Sequence, residues 1–178
     1  TYLNLNQYFD EQFEIYGGNE GLDNSLIWSV IQDKKGNFWV GTEGGLVQFI
    51  PDAFLAPSSG EEKSSTEKIY TSELPAGKSD SSSRMVRYKF KKLTGKEDEI
   101  LNTSALYEDV KGNIWYTDFG RGISRMNPAT KKIDNYTVEK DNLPVNEIYS
   151  IAGDKDGNIW FGTNKGGLLK FDINTEEF

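Results

Sequence analysis

Residues 147–171 read EIYSIAGDKDGNIWFGTNKGGLLKF, and this stretch decides the fold. Residues 148–153 have the composition of a strand, 154–157 that of a tight turn, and 158–163 that of a second strand. The turn Asp can accept hydrogen bonds from backbone amides, and the turn Gly supplies the positive φ that closes a short hairpin. A third strand follows at 167–171, so the stretch predicts an antiparallel meander.

The same stretch occurs twice more. Residues 25–49 read SLIWSVIQDKKGNFWVGTEGGLVQF, and residues 102–126 read NTSALYEDVKGNIWYTDFGRGISRM. In each copy an Asp is followed three residues later by Gly-Asn, then by an apolar residue and Trp. Residues repeated in every copy are typical of structural elements, and the repeated positions are Asp33, Gly36, Trp39, Asp109, Gly112, Trp115, Asp154, Gly157 and Trp160.

The second and third copies follow one another at the period of ~40 to 45 residues that a four-stranded propeller blade requires. The first and second are separated by a further stretch, 56–84, which is rich in Ser, Gly, Pro and charge and is interpreted as a surface insertion. Residues 68–74 within it could form an added strand of a protruding hairpin. Weaker outer strands are predicted at 12–16, 85–93 and 132–138.

These features predict an all-β protein, a partial β-propeller of about three four-stranded antiparallel blades over residues 1–178. Ile159, Trp160 and Phe161 are apolar on both faces, as expected for a strand covered by a blade on each side. The repeated tryptophans are therefore interpreted as packing residues between blades. Closed propellers usually have about four to eight blades. The chain is then either a piece of a longer propeller, or it associates with other chains through end blades or terminal strands.

Composition excludes several classes of function. The chain has 28 Asp and Glu against 20 Lys and Arg, and a formal charge of −8 argues against nucleic acid as a partner. The absence of cysteine excludes disulfides and thiolate ligands, and the absence of histidine removes the commonest general base and transition-metal ligand. No apolar run is long enough to span a bilayer. We therefore expect no metal, no cofactor and no membrane contact by this segment.

The pattern Asp-x-x-Gly-Asn-apolar-Trp-apolar-Gly-Thr, followed by Gly-Gly-Leu, resembles the two-component regulator propeller repeat. Residues 33–46 and 154–168 match it closely, whereas the second copy has Thr117-Asp118 in place of Gly-Thr and Arg121-Gly122 in place of Gly-Gly. The resemblance implies part of the periplasmic ectodomain of an inner-membrane sensor histidine kinase or hybrid two-component system. It also implies other blades and domains of the parent receptor as partners, and an oligosaccharide as the signal.

No enzyme activity is expected. A glycosidase needs two acids at a defined separation across a sugar, and the recurrent acids of this chain fall in equivalent hairpin turns. A carbohydrate-active propeller enzyme therefore stays a weaker alternative. A second alternative is a structural or dimerising scaffold whose ligand site lies elsewhere in the parent protein.

A binding site is sought where the copies differ. Five residues before each turn Asp stand Trp28, Ser104 and Tyr149, on the strand that would line a central channel. Aromatic rings there could stack on sugar C–H faces, although they could also simply pack near the strand start. Phe119 and Arg121 lie in the loop that departs from the repeat, and Arg121 could bind a carboxylate or sulfate on an acidic glycan or be an ordinary solvated side chain.

Overall fold

The computed structural model describes residues 26–51, 67–73, 85–94 and 101–178, and the predicted outer strand at 12–16 lies outside them. The described residues form three antiparallel sheets and one short helix. The elements are β1 (Ile27–Gln32), β2 (Phe38–Thr42), β3 (Gly45–Pro51), β4 (Glu67–Glu73), β5 (Met85–Lys92), β6 (Thr103–Glu108), β7 (Ile114–Asp118), β8 (Ile123–Met126), β9 (Ile133–Tyr136), α1 (Val138–Asp141), β10 (Ile148–Gly153), β11 (Ile159–Thr163) and β12 (Leu168–Phe171).

Each repeat folds as one blade, and the predicted all-β partial propeller is confirmed. Blade 1 has the strand order β1-β2-β3-β5-β4, blade 2 has β6-β7-β8-β9, and blade 3 has β10-β11-β12. The first strands of the blades are neighbours, since β6 lies beside both β1 and β10. These strands therefore form the inner side of the assembly, and the later strands of each blade lie progressively further out.

The insertion contributes to the sheet of blade 1. The strand expected at 68–74 is observed as β4, and it pairs along its whole length with β5, which in turn pairs with β3. The blade thus has five strands, because β4 and β5 form a hairpin whose second strand takes the fourth position of the blade. The rest of the insertion lies outside the described residues.

Blades 2 and 3 differ from the predicted four-strand pattern in smaller ways. The fourth strand of blade 2, β9, is shorter than expected, because the chain then turns into helix α1. Thr137 caps this helix by accepting a hydrogen bond from the amide of Lys140 (3.2 Å). Blade 3 has three strands in the described part of the chain, followed by a turn that is closed by a bridge between Asp172 and Glu177.

An identical set of hydrogen bonds, here named the carboxylate clamp, holds the first hairpin of every blade. In blade 2, Oδ1 of Asp109 accepts from the amides of Lys111 and Asn113 (both 2.8 Å), and Oδ2 accepts from Nδ2 of Asn113 (2.9 Å) and Nε1 of Trp115 (2.8 Å). The turn glycine, Gly112, has φ +79°, which favours glycine. Equivalent bonds join Asp33 to Trp39 (2.9 Å) and Asp154 to Trp160 (2.8 Å).

The clamp stabilises the ionised carboxylate. Hydrogen bonds from Asn158 and Trp160 lower the pKa of Asp154 to about 2. For Asp33, burial acts to raise the pKa, but the hydrogen bonds from Asn37 and Trp39 outweigh it, and the pKa lies below its ordinary value. Asp33 and Asp154 are therefore charged acceptors at neutral pH, a state that suits a structural role.

The clamped indoles form the centres of the two interfaces between blades. Trp39 and Trp115 are both fully buried, the first between blades 1 and 2 and the second between blades 2 and 3. A clamped indole has its one polar atom satisfied, so the rest of the ring can pack as apolar surface. The buried partners of the two rings are Leu46, Leu106, Ile114, Tyr116 and Met126 at the first interface, and Ile123, Leu143, Ile148, Ile159, Phe161, Phe171 and Ile173 at the second.

The third clamped indole does not match the expectation of a ring packed between two blades. Trp160 is only partly buried, and the ammonium of Lys170 lies over its ring at 5.8 Å. The difference is explained by position, because no further blade of the described chain follows blade 3. The clamp itself forms without such a blade, so it is a property of the hairpin and not of the interface.

Removing one clamp carboxylate tests its contribution to stability. Asp109→Ala leaves the buried indole N–H of Trp115 and two turn amides without their acceptor, and we expect the free energy of unfolding to fall by roughly 2 to 4 kcal/mol. Urea unfolding followed by tryptophan fluorescence measures this. Asp156→Ala, at an exposed turn acid, is the matched control and should change little; equal losses for the two variants would contradict the role of the clamp.

Candidate functional site

Each antiparallel blade has two kinds of connection between its strands, and these lie at opposite ends of the blade. The clamped turns lie at one end, and the loops between the second and third strands lie at the other, together with the starts of the inner strands. We name this second end the loop face and define it by the loop residues 43–44, 119–122 and 164–167. Trp28, Ser104, Tyr149, Phe119 and Arg121, the residues singled out from the sequence, all lie at the loop face.

Each inner strand carries a β-bulge at the same position. In blade 1, Ile27 pairs with Thr42 and Ser29 pairs with Gly41, so Trp28 is an extra residue without a cross-strand partner. The same shift leaves Ser104 unpaired in β6 and Tyr149 unpaired in β10. A bulge re-aims the side chain of its extra residue and often occurs at functional sites. The three positions at which the copies differ are thus the three bulge residues.

The neighbours of the bulge explain why the second copy departs from the Gly-Thr motif. In blade 1, a Cβ on Gly41 would collide first with the backbone carbonyl oxygen of Thr103 in blade 2 and then with the hydroxyl of Ser29. In blade 3, a Cβ on Gly162 would collide with the hydroxyl of Ser150. Blade 2 has the opposite arrangement. Its inner strand carries alanine, without a hydroxyl, and its second strand carries threonine in place of glycine. The paired residues are Ser29–Gly41, Ala105–Thr117 and Ser150–Gly162.

Two of the predicted site residues are in contact. The rings of Phe119 and Tyr149 lie 5.9 Å apart at an interplanar angle of 32°, and both side chains are about half exposed (48% and 52%). They come from blades 2 and 3, so the pair lies across the boundary between these blades. Two adjoining exposed rings form an apolar surface with a hydroxyl at one edge, which suits a flat ligand with both apolar and polar groups.

The other predicted residues are distributed around this pair. Trp28 is equally exposed, at 54%, but it makes no ring contact with another residue of the described chain. Ser104 lies at the bulge between them, and its hydroxyl is 3.0 Å from that of Thr117. Arg121 is exposed and belongs to the same loop as Phe119. The structure therefore brings Phe119 and Tyr149 together and places Trp28 on a separate blade.

A short loop fixes the position of Phe119 and Arg121. The amide of Arg121 donates to the carbonyl of Asp118 (2.9 Å), and the amide of Gly122 donates to the carbonyl of Asn146 (3.1 Å). Gly122 has φ +86°, and a Cβ at this position would collide with the carbonyl oxygen of Tyr136. The glycine retained in the second copy is therefore required by both conformation and space.

Sequence reasoning missed a set of polar residues beside this loop. Tyr116, Ser124 and Asn135 are consecutive cross-strand partners in β7, β8 and β9, and they line a groove of about 580 Å³ that opens at the loop face. The corresponding pairs in the other blades are apolar, Val40–Val47 in blade 1 and Phe161–Leu169 in blade 3. An alignment of the three copies at these positions would have shown that the second copy has polar residues where the other two have apolar ones.

Burial raises the pKa of Tyr116 to about 12, with a further contribution from the nearby carboxylate of Asp118, while a hydrogen bond with Ser124 acts in the opposite direction. The phenol is thus neutral at physiological pH and can donate a hydrogen bond. Among the described residues there is no group of three or more acidic side chains that could hold a metal ion. Within the same residues no helix is long and apolar enough to cross a membrane.

Two of the three copies overlap matches to a known family model. Residues 21–44 and 142–165 match the family model described as two component regulator propeller, and the chain therefore contains repeats of this type. The matches cover the first and third copies, while the second copy, which departs from the motif at 117–122, lies outside them. Comparison with curated proteins finds no match.

Solved structures of similar fold come from bacterial surface and signalling proteins. PorZ from Porphyromonas gingivalis, described as an essential surface component of the type-IX secretion system, is 20% identical with a TM-score of 0.53 over 84% of this chain. The extracellular domain of BT3049 from B. thetaiotaomicron, assigned as a hybrid two component system, is 23% identical with a TM-score of 0.55 over 90% of this chain. The chain spans 18% and 17% of the length of these two structures.

Two glycines of the 119–122 loop provide a matched test of its geometry. Gly120 and Gly122 both have positive φ, so alanine is strained at either position by about 1 to 2 kcal/mol. A Cβ on Gly120 would meet open space, whereas one on Gly122 would collide with backbone. We expect Gly122→Ala to lower the thermal unfolding midpoint clearly more than Gly120→Ala, as measured by circular dichroism. Equal midpoints would mean that the close approach to Tyr136 does not constrain the loop.

Proposed function

We propose that this chain is a non-catalytic ligand-binding module in the periplasmic ectodomain of a two-component sensor, and that it responds to a glycan. The presence of two-component regulator propeller repeats supports the signalling context. The likeness to the extracellular domain of BT3049 supports the fold in which such a module would work. The observation that carries the proposal is the contact between Phe119 and the bulge residue Tyr149 at the loop face.

The exposed rings of Phe119 and Tyr149 suit the binding of a sugar. Exposed aromatic side chains in contact lose little rotamer freedom when a ligand covers them, and sugar C–H faces stack on such rings while hydroxyl groups bind at the edges. The pair spans blades 2 and 3, so a ligand bound there contacts both blades at once. Binding can then favour one arrangement of the ectodomain over another, provided that the ligand has different affinities for the two.

Substitution of the aromatic residues tests the proposal. In a thermal-shift screen against neutral and acidic oligosaccharides, we expect at least one glycan class to stabilise the wild-type chain. Tyr149→Ala and Phe119→Ala should weaken this binding at least tenfold, and Trp28→Ala shows whether the third predicted residue contributes. In the full-length receptor at least one of these variants should abolish signalling, and the sugar should be recovered unhydrolysed.

Val110→Ala is the matched control, because Val110 is an exposed apolar residue in the clamped turn of blade 2, at the opposite end from the loop face. It should leave both binding and signalling unchanged. Failure of every glycan to stabilise the chain would refute the proposed ligand class. Release of reducing ends would instead favour the carbohydrate-active enzyme.

A second candidate function, a scaffold that joins blades or chains, is favoured by the outer face of blade 3. Leu46 and Ile123 occupy equivalent positions in blades 1 and 2 and are fully buried by the following blade. Leu168 is the third equivalent and is 66% exposed, beside the partly buried Trp160. This exposed apolar face of blade 3 is suited to packing against the side of another blade. We propose that its partner is an end blade of a second copy of the chain.

Sedimentation velocity tests the scaffold. If blade 3 pairs with a second copy, the chain should form dimers at micromolar concentration, and Leu168→Lys should convert them to monomers because it places a charge in an apolar contact. Val110→Lys is the control at a similarly exposed residue of the opposite end and should leave the dimer intact. A wild-type chain that is monomeric at all concentrations would overturn self-association through this face.

A further inference from the structure

We infer that the groove between blades 1 and 2 is a binding site for a neutral, hydroxyl-rich ligand such as the end of an uncharged oligosaccharide. The inference rests on the proposed function for its ligand class. The groove is a separate place from the aromatic pair, and it offers a set of polar side chains that the pair does not provide. The groove has a volume of about 580 Å³, which lies within the usual range for small-molecule sites, and it is lined mainly by polar side chains.

A row of cross-strand partners in blade 2 supplies three polar side chains to the groove. Leu106, Tyr116, Ser124 and Asn135 follow one another as cross-strand partners, and the row changes from apolar at the inner strand to polar at the outer strands. Polar side chains at the places of Tyr116 and Ser124 are absent from blades 1 and 3, where Val40–Val47 and Phe161–Leu169 stand, whereas the place of Asn135 is taken by Lys92 in blade 1. A blade of this type therefore does not require the tyrosine or the serine.

The polar groups of the groove are preorganised by hydrogen bonds to one another. Tyr116 and Ser124 are almost completely buried and hydrogen-bonded to one another, and Nδ2 of Asn135 donates to the Ser124 hydroxyl at 3.0 Å. The second side-chain hydrogen bond of Asn135 in the described part of the chain also uses this nitrogen, which donates to the carbonyl of Ile123 at 3.4 Å. The exposed amide oxygen of Asn135 can then accept from a ligand hydroxyl in the groove.

The charges around the opening are nearly balanced. Asp118 and Glu139 supply two carboxylates to the lining and Arg121 supplies one guanidinium, while the ammonium of Lys140 lies beside the lining, 3.2 Å from the carbonyl oxygen of Asn135. The pKa of Glu139 is lowered by hydrogen bonds, first from its own backbone amide and then from Thr137 and Asn146, so it is ionised at neutral pH. The groove thus has no net positive charge to attract an anionic sugar, while its carboxylates accept well from neutral hydroxyl groups. The groove therefore favours a neutral ligand over an acidic one.

The groove and the aromatic pair share one loop. Phe119 contacts Tyr149, while the flanking residues Asp118, Gly120 and Arg121 line the groove. The two sites are consequently separable by substitution. Changes in the row of blade 2 alter the groove without altering the aromatic pair, and Tyr149→Ala does the reverse.

The test uses two variants that remove polar groups from the groove. Ser124→Val introduces the residue found at the equivalent position of blade 1, Val47, and Asn135→Leu removes the amide acceptor. Ser124→Val is expected to fold because blade 1 carries valine at this place, and Asn135→Leu because Asn135 is an exposed residue of an outer strand. Thr130→Val, at a residue outside the groove, is the control. Affinities are measured by NMR titration of the labelled chain with neutral oligosaccharides of glucose, galactose, mannose, xylose and fructose, and with oligogalacturonate.

We expect one neutral oligosaccharide to shift the side-chain amide signals of Asn135 and the backbone signal of Gly120. Oligogalacturonate should bind at least tenfold more weakly. Ser124→Val and Asn135→Leu should each weaken binding of the neutral sugar at least tenfold, while Thr130→Val leaves it unchanged. Binding that is lost in Tyr149→Ala but retained in both groove variants would overturn the groove and leave the proposed function standing. Absence of binding by every sugar would overturn both, and tighter binding of oligogalacturonate would overturn the neutral class.

Discussion

The hydrogen bond from each repeated indole to the carboxylate six residues before it is the interaction on which the rest of the structure depends. One carboxylate closes the hairpin turn, orients the following asparagine and satisfies the only polar atom of a large ring. The ring can then be buried between blades without an unsatisfied donor. Local turn chemistry and packing between blades are thus determined by the same side chain, which explains why Asp, Gly, Asn and Trp recur together.

Much of this could be predicted from the sequence, because the hairpin is local. The strands at 148–153 and 158–163 and the turn between them correspond closely to β10 and β11. Non-local features were less accessible. The pairing of β4 with β5 depends on two segments separated by residues of low apolar content, and the exposure of Trp160 depends on whether a further blade follows. The repeat period of the sequence predicts each blade, but it does not predict which strands or blades pack against it.

The residues of the candidate site were likewise only partly predictable from the sequence. Trp28 and Tyr149 were found because aligned copies differ there, but the β-bulge and the contact of Tyr149 with Phe119 follow from three-dimensional register and loop geometry. Tyr116 and Asn135 lie far apart along the chain and become neighbours of Ser124 only through strand pairing. Blade 2 differs from the other two blades in two ways. It exchanges the small and large residues at its bulge, and it replaces apolar partners by a polar row, while keeping its clamp intact.

The β-bulge has a consequence for how such chains diversify. An extra residue outside the cross-strand ladder bears little of the packing that holds a blade, and in this chain the position is occupied by tryptophan, serine and tyrosine within otherwise similar frames. Substitutions there exchange the chemistry of the surface at small cost to folding. Chains with nearly the same fold can therefore present different surfaces at this end of the blades. If the proposed function holds, a change of ligand would require substitutions at only these three positions.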